Sequence, residues 1–177
     1  MNQNQIETLR KNNEESRDFV RSCFRFALMI ILKDKKDKRL NVTRLCQIAG
    51  VSRTAFYRNY RCLDDVLVDE IEVFGHLLLQ GIGKDVYNNW LYVFQSVEQR
   101  REDLEAIVEA GFGAKILEVF LSLLPEEEDN RTIQWIWVSL FHTMMIKWLK
   151  EKKPKKAEEM AAIAYKYTKN IPLVALE

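Results

Sequence analysis

Arginine, threonine and tyrosine side chains crowd one short stretch of the sequence, at positions that share one face of a helix. Arg53, Thr54, Tyr57 and Arg58 follow one another at spacings of one, three and one residues, so one helical turn brings them together. A guanidinium can bond both acceptors on the edge of a guanine, and hydroxyls can bond bases or phosphates. The chemistry predicted for this face is noncovalent recognition of a nucleic acid.

Catalytic groups form no comparable cluster in the sequence. The two histidines, His76 and His142, lie far apart, and the chain has no nucleophile motif, glycine-rich phosphate loop or metal-ligand spacing. The acids at 126–129 follow Pro125 and are better explained as the start of a helix. We therefore expect no enzymatic activity, no cofactor and no metal.

The residues around the basic face meet the requirements of a helix-turn-helix. Asn41 is suited to cap a helix over 42–49, and Ser52 to cap a second helix over 53–60. Gly50 supplies the left-handed backbone of the sharp turn between them. The apolar residues of both helices are spaced to face inward: Leu45, Cys46, Ile48, Ala49, Phe56 and Tyr60.

The charge of the chain is divided between its two parts. Residues 1–62 carry 14 Lys and Arg against 6 Asp and Glu, a net of +8, whereas residues 63–177 carry 13 against 20, a net of −7. A basic module joined to an acidic remainder favours a polyanion partner, and an uneven solvated surface is the alternative. We expect one domain over 1–62, with a polar leader at 1–13, and a second domain over 63–177. The family resemblance given below implies DNA binding for the first domain, and regulation and dimerisation for the second.

Helical periodicity dominates the rest of the chain and predicts an all-α fold of about nine helices. A first helix of about five turns carries an apolar face that includes Phe19, Phe24 and Leu28, with an arginine row at positions 17, 21 and 25 beside it. Further helices are predicted at 64–81, 85–100, 102–110, 115–124, 125–152 and from 154 onward.

The turn and the second helix resemble the DNA-binding domain of the TetR family of transcriptional regulators. The family pattern, Ala-Gly-Val-Ser, a few variable residues and Phe-Tyr-x-x-Phe, is matched by Ala49-Gly50-Val51-Ser52 and by Phe56-Tyr57-Arg58-Asn59-Tyr60. With the first and fourth helices, the resemblance spans roughly residues 14–80. It implies a recognition helix in the major groove of double-stranded operator DNA. The DNA contacts that it implies are Asn41, Thr43, Arg44, Ser52, Arg53, Thr54, Ala55, Tyr57, Arg58 and Asn59.

Three positions depart from the family pattern. Asn59 stands where a phosphate-binding histidine is common, Leu63 where a lysine often opens the fourth helix, and Arg44 where an acid is common. One phosphate contact is expected to have moved to Arg44, and Lys38 is a further candidate. A helix pair used only for packing is the alternative interpretation of the whole segment.

The helix predicted at 125–152 is apolar nearly all round and must be covered on more than one side. The resemblance implies a homodimer on a palindromic operator, in which this helix and the last one form a two-fold four-helix bundle. The pattern does not assign which face is core and which is interface, and a monomer with one large core is the alternative. The expected interface residues are Ile133, Trp137, Leu140, Met144, Trp148, Met160, Ala161 and Ala164.

An effector cavity is expected between the middle helices, for a small apolar or aromatic molecule. Its candidate lining residues are Trp90, Phe94, Ile107, Phe112, Ser139, His142 and Thr143, although such residues are more often core than pocket. His142 is more readily explained as a hydrogen-bonded core histidine. The function expected is a repressor released by a small effector, and the alternative is the same fold controlled by a protein partner.

The sequence also predicts where the protein resides. Residues 1–13 lack the apolar stretch of a signal peptide, and the longest apolar run, 26–32, is too short to span a bilayer. The three cysteines have no C-x-x-C spacing, which favours a reducing compartment. We expect a cytoplasmic, nucleoid-associated protein without a membrane partner.

Overall fold

A computed structural model describes residues 3–37, 39–125 and 131–172 of the chain. The described residues form nine helices and no strand, which confirms the predicted all-α fold. The helices are α1 (Gln3–Lys33), α2 (Val42–Ala49), α3 (Arg53–Asn59), α4 (Leu63–Gln80), α5 (Val86–Gln99), α6 (Arg101–Glu109), α7 (Gly113–Ser122), α8 (Arg131–Leu149) and α9 (Ala157–Thr168).

Most helix ends lie within two or three residues of their predicted positions, but the first helix differs. It begins at Gln3, so the expected polar leader is mostly helical. The stretch contains no glycine or proline to stop a helix, and residues 10–18 are exposed along it. The helix predicted at 125–152 is described from Arg131 onward, because residues 126–130 lie outside the described ranges.

The chain divides into two compact units, with residues up to Glu70 in unit 1 and residues from Ile71 in unit 2. The border therefore falls inside α4 rather than at its start. The functional domains expected at 1–62 and 63–177 stay a prediction. None of the helices in the described ranges has the length and apolarity needed to cross a bilayer.

Unit 1 is built around an aromatic cluster between α1 and α3. Phe24 meets Phe56 edge to face at 5.5 Å and Tyr60 at 5.9 Å between ring centroids. Such pairs add about 0.5 to 1.5 kcal/mol to the effect of burial. Phe19, predicted on the same inward face of α1, is instead 70% exposed, since the face that packs on α2 and α3 begins one turn later.

Unit 2 is held mainly by packing of α5 against α9 and of α7 against α8. The indole N–H of Trp90 donates to the hydroxyl of Thr168 at 2.8 Å, which ties α5 to the end of α9. Phe120 and Phe141 stack with centroids 6.2 Å apart between α7 and α8.

Half of the residues expected at the dimer interface are buried within a single chain. Trp148, Met160, Ala161 and Ala164 are buried in unit 2, so the prediction is corrected for these four residues. The small alanines of α9 serve close packing on α5 instead. Four other expected interface residues of α8 are half-buried: Ile133, Trp137, Leu140 and Met144.

Candidate nucleic-acid interface

The first helix of the helix-turn-helix begins and ends as the sequence predicts. Asn41 caps α2, and its side-chain oxygen accepts from the backbone amide of Arg44 at 2.9 Å. Gly50 follows the helix with φ of 65°, in the left-handed region that disfavours residues with a Cβ. Leu45 and Cys46 are buried, while Asn41 and Thr43 are exposed at the start of α2.

The second helix presents a polar face that the rest of unit 1 leaves uncovered. Ser52 caps α3 by accepting from the amide of Ala55 at 3.1 Å, and Phe56 anchors the opposite side in the core. The outward residues are exposed: Arg53, Thr54, Tyr57 and Arg58. Tyr57 is 57% exposed, although its ring also meets Phe56 edge to face at 5.1 Å. Apolar burial thus fixes the orientation of α3 and directs this face outward.

Side chains at the other predicted contact positions are less exposed. Ala55 and Asn59 are half-buried, and the Asn59 amide donates to the carbonyl of Ala55 at 2.8 Å. The Asn59 amide N–H is therefore used in a hydrogen bond within α3. The contact with phosphate expected at this position stays a prediction. Lys38 lies outside the described residues.

Arg44 holds the loop between α1 and α2. Its guanidinium donates to the backbone carbonyls of Asp37 at 2.6 Å and Arg39 at 3.2 Å, and it pairs with the carboxylate of Asp34 at 2.9 Å. The backbone amides of Lys36 and Asp37 donate to that carboxylate and lower its pKa. Arg44 thus has a positioning role in unit 1, and its contact with phosphate stays a prediction.

A buried carboxylate, Asp69 of α4, joins three elements of unit 1. Arg21 donates to both of its oxygens, and Arg25 donates to Oδ2 at 2.9 Å. The hydroxyl of Tyr60, the residue that ends α3, donates to the same Oδ2 at 2.5 Å. These four residues, which we call the Asp69 cluster, fix the end of α3 against α1 and α4.

The Asp69 cluster is ionic at neutral pH. Burial alone would raise the pKa of Asp69, but the hydrogen bonds from Arg21, Tyr60 and Arg25 outweigh it and hold that pKa below its usual value. Burial and the hydrogen bond to Asp69 raise the pKa of Tyr60. The carboxylate is therefore charged and the phenol protonated, which is the state in which the phenol donates.

Sequence reasoning misses Asp69. The carboxylate lies off the apolar stripe of α4 that includes Leu67 and Ile71, so the pattern assigns it to solvent. A signal was present in the arginine row of α1, because arginines beside an apolar face need an acidic partner. Arg21 and Arg25 of that row find it in Asp69.

Unit 2 contains an apolar cavity of about 130 Å³ bordered by α4, α5, α7 and α8. Trp90 lines it as predicted, and so does Trp137, which the sequence assigns to the dimer interface. Phe94 and Ile107 do not border it and are instead enclosed in the core, with 0% and 2% exposure. Helical spacing alone does not distinguish residues that line a cavity from residues enclosed in the core. The lining roles predicted for Phe94 and Ile107 are therefore corrected.

The remaining predicted lining residues lie away from the cavity. Thr143 is exposed, and its hydroxyl donates to the carbonyl of Ser139 one turn earlier, at 2.8 Å. His142 Nε2 lies 2.9 Å from the carbonyl oxygen of Gly113, which agrees with a hydrogen-bonded structural histidine. Phe112 is half-buried at the start of α7.

The fold of the chain, with a capped helix-turn-helix in unit 1 and a helical unit 2, is similar to the folds of two solved TetR-type transcriptional regulators. The chain matches a TetR transcriptional regulator from Streptococcus agalactiae 2603V with a TM-score of 0.56 and 15% identity, over 86% of this chain and 95% of that one. It matches a TetR-family transcriptional regulator from Streptomyces coelicolor with a TM-score of 0.52 and 11% identity, over 84% and 81%.

No protein-family model matches the sequence, and no curated protein matches it at a significant level. At the identities of the two solved structures, the likeness shows the fold. This likeness assigns no role to individual residues of the chain.

Proposed function

We propose that the protein is a sequence-specific DNA-binding transcriptional regulator that acts as a homodimer on palindromic operator DNA. The exposed face of α3 carries the proposal. Arg53 and Arg58 make no hydrogen bond or ion pair with any residue that the structure describes, whereas Arg44 donates to the loop before α2. Two uncommitted guanidiniums on a rigid, capped helix suit a polyanionic ligand.

The roles on this face follow from position on the helix. Arg53 and Thr54 lie in the first turn of α3, the part that meets base edges in a helix-turn-helix. Tyr57 and Arg58 lie one turn later and are suited to phosphate oxygens. We assign base recognition to Arg53 and backbone positioning to Tyr57 and Arg58.

The first test measures binding of the full chain to mixed-sequence duplex DNA by fluorescence anisotropy at increasing salt. Neutralising about four phosphates predicts a roughly hundredfold loss of affinity between about 50 and 200 mM salt, because bound counterions are released. Arg58→Ala should flatten this slope, and Lys150→Ala, which removes an exposed positive charge just after α8, is the charge-matched control. A flat salt profile for the wild type contradicts the proposal.

Base recognition needs a separate test on a selected operator. Arg53→Ala should lose about 1 to 3 kcal/mol on the operator and relax preference at one base position, while Tyr57→Phe should weaken all sequences alike. Wild-type binding by both variants would mean that the assigned face is wrong.

The proposed homodimer requires an apolar surface, and α8 offers one. Trp135 and Ile136 are 44% and 47% exposed, and Ile136 shares a face with half-buried Leu140 one turn later. Ile136→Asp should convert a dimer into a monomer in sedimentation velocity, because it places a charge in an apolar contact. Tyr167→Asp, at an exposed aromatic of α9, is the control.

The cavity in unit 2 favours control of the proposed regulator by a small molecule. Binding of that molecule would favour a conformation with lower affinity for DNA, so the protein would release its operator. Control by a protein partner is the second candidate. A library of compounds that never shifts the melting temperature, together with a protein that copurifies with the chain, would favour the partner.

A further inference from the structure

An exposed apolar row runs along α1 on the side opposite the core of unit 1. Phe19 and Phe26 are 70% and 67% exposed, and Ile30 is 41% exposed. Cys23, which lies between the two phenylalanines, is half-buried. Leu28, on the other side of the helix, is fully buried. Single exposed apolar residues are common, but these four, which we call the α1 row, share one line of one helix, so covering them together would be favourable.

The α1 row has the spacing of a coiled-coil seam. Its members follow one another at four, three and four residues between positions 19 and 30. This is the 3.5-residue repeat that keeps one stripe of a helix against a partner helix. The residues that flank the row carry no charge: Val20, Ser22, Ala27 and Met29. A second helix can therefore lie along the row without burying an ion.

The α1 row is complementary to its own reverse in size. In an antiparallel pair of α1 helices, Phe19 meets the Ile30 position of the second copy, and Phe26 meets the Cys23 position. Each layer then joins a large side chain to a smaller one, which suits close packing. In a parallel pair every side chain would face its own copy, so that large residues meet large ones. Antiparallel packing of one segment on itself also gives a closed two-fold contact.

The charges at the two ends of the α1 row favour the same direction. Glu15 and Ser16 precede the row, Lys33 follows it, and all three are exposed. Antiparallel packing places Lys33 opposite Ser16 and beside Glu15 of the second copy, so that opposite charges lie close together. Parallel packing would place each charge beside its own copy, and like charges repel.

The α1 row is too small for a permanent interface. Its two phenylalanines expose roughly 270 Å² per chain, if a whole aromatic side chain has about 200 Å². Two copies would bury on the order of 600 Å² in total, about half of the minimum for a stable complex. The contact is therefore transient between free molecules, and it is effective between copies that are already held side by side.

We propose that the α1 row is a self-association surface, on which α1 of a second copy packs antiparallel. The occupant is a second copy because the row matches its own reverse in spacing, size and charge. The row lies entirely in unit 1, whereas the α8 face proposed for the homodimer lies in unit 2. On DNA the contact would join neighbouring molecules, a consequence that rests on the proposed function.

Disulfide trapping tests both the contact and its direction. The full chain with Ser16→Cys and Lys33→Cys, in a Cys23→Ala and Cys62→Ser background, is oxidised, and covalent dimers are measured on a non-reducing gel. Within one chain, positions 16 and 33 lie roughly 25 Å apart along α1, too far for a disulfide. Antiparallel packing brings them together between copies, so the double variant should cross-link. Ser16→Cys alone should not, because the two copies of position 16 lie at opposite ends of the pair.

The matched control is Arg17→Cys with Lys33→Cys, because position 17 is also exposed but is turned by about 100° from position 16. The pair at 16 and 33 should cross-link roughly tenfold faster than this control, since a disulfide needs Cα atoms within about 7 Å. Phe26→Asp should abolish the excess, with far-UV circular dichroism reporting an intact fold. Tyr167→Asp, at an exposed aromatic of α9, should keep it.

Three results would overturn the proposal. Cross-linking by Ser16→Cys alone would mean that the helices pair in parallel. Cross-linking of the 16 and 33 pair no faster than the control, or an excess that survives Phe26→Asp, would mean that a second copy does not cover the α1 row. Failure of the protein to bind DNA would leave the proposal standing, because the trapping contains no DNA.

Discussion

Replacement of Asp69 by asparagine removes the charge at the centre of the Asp69 cluster while keeping the size of the side chain. Two arginines and the Tyr60 hydroxyl would then face a neutral amide. Loss of one partner from a buried ion pair costs about 3 to 5 kcal/mol. Arg21 keeps 31% of its side chain exposed, so water compensates part of the loss. We expect Asp69→Asn to lower the free energy of unfolding by about 2 to 4 kcal/mol.

The assay is urea unfolding of the full chain at pH 7, followed by far-UV circular dichroism. Asp18→Asn is the matched control, because it removes an exposed carboxylate from α1 and should change stability by less than about 0.5 kcal/mol. Tyr60→Phe should fall between the two, at about 1 to 2 kcal/mol, since it deletes one hydrogen bond to a charged group. If Asp69→Asn unfolds as Asp18→Asn does, the cluster does not stabilise unit 1.

Three further outcomes follow from the same unit. Gly50→Ala should cost about 1 kcal/mol in urea unfolding, because φ is 65° and a Cβ there meets no atom within 4 Å, whereas Gly83→Ala should be nearly neutral. Arg44→Ala should lower stability by about 1 to 3 kcal/mol through its lost bonds to the preceding loop, while Arg53→Ala should leave stability unchanged. The folded pKa of Asp69 lies below its ordinary value of 3.8, so the stability gap between wild type and Asp69→Asn should be constant above about pH 5, and it should shrink as pH falls through that lowered pKa.

The helix-turn-helix could be predicted from the sequence because its determinants are local. Caps at Asn41 and Ser52, a left-handed glycine at 50 and apolar spacing through Phe56 each act within one or two turns. They also fix which side chains of α3 point outward.

Contacts between distant helices could not be predicted in the same way. Asp69 meets Arg21 across 48 residues, and no local pattern pairs them. On α8, apolar residues surround the helix, so periodicity does not distinguish Trp148, which is enclosed, from Trp135, which is exposed. The cavity is likewise formed by residues from four helices, and only Trp90 of the described lining was among those that the sequence suggests.

The central claim is tested most directly by selecting DNA from a random duplex pool with the full-length protein and sequencing the bound fraction. Sequence-specific binding by a dimer predicts enrichment of two inverted half-sites with centres about one helical turn apart, roughly 10 base pairs. The same selection with Arg53→Ala should lose preference at one position in each half-site. A bound fraction with the composition of the input pool would contradict the account.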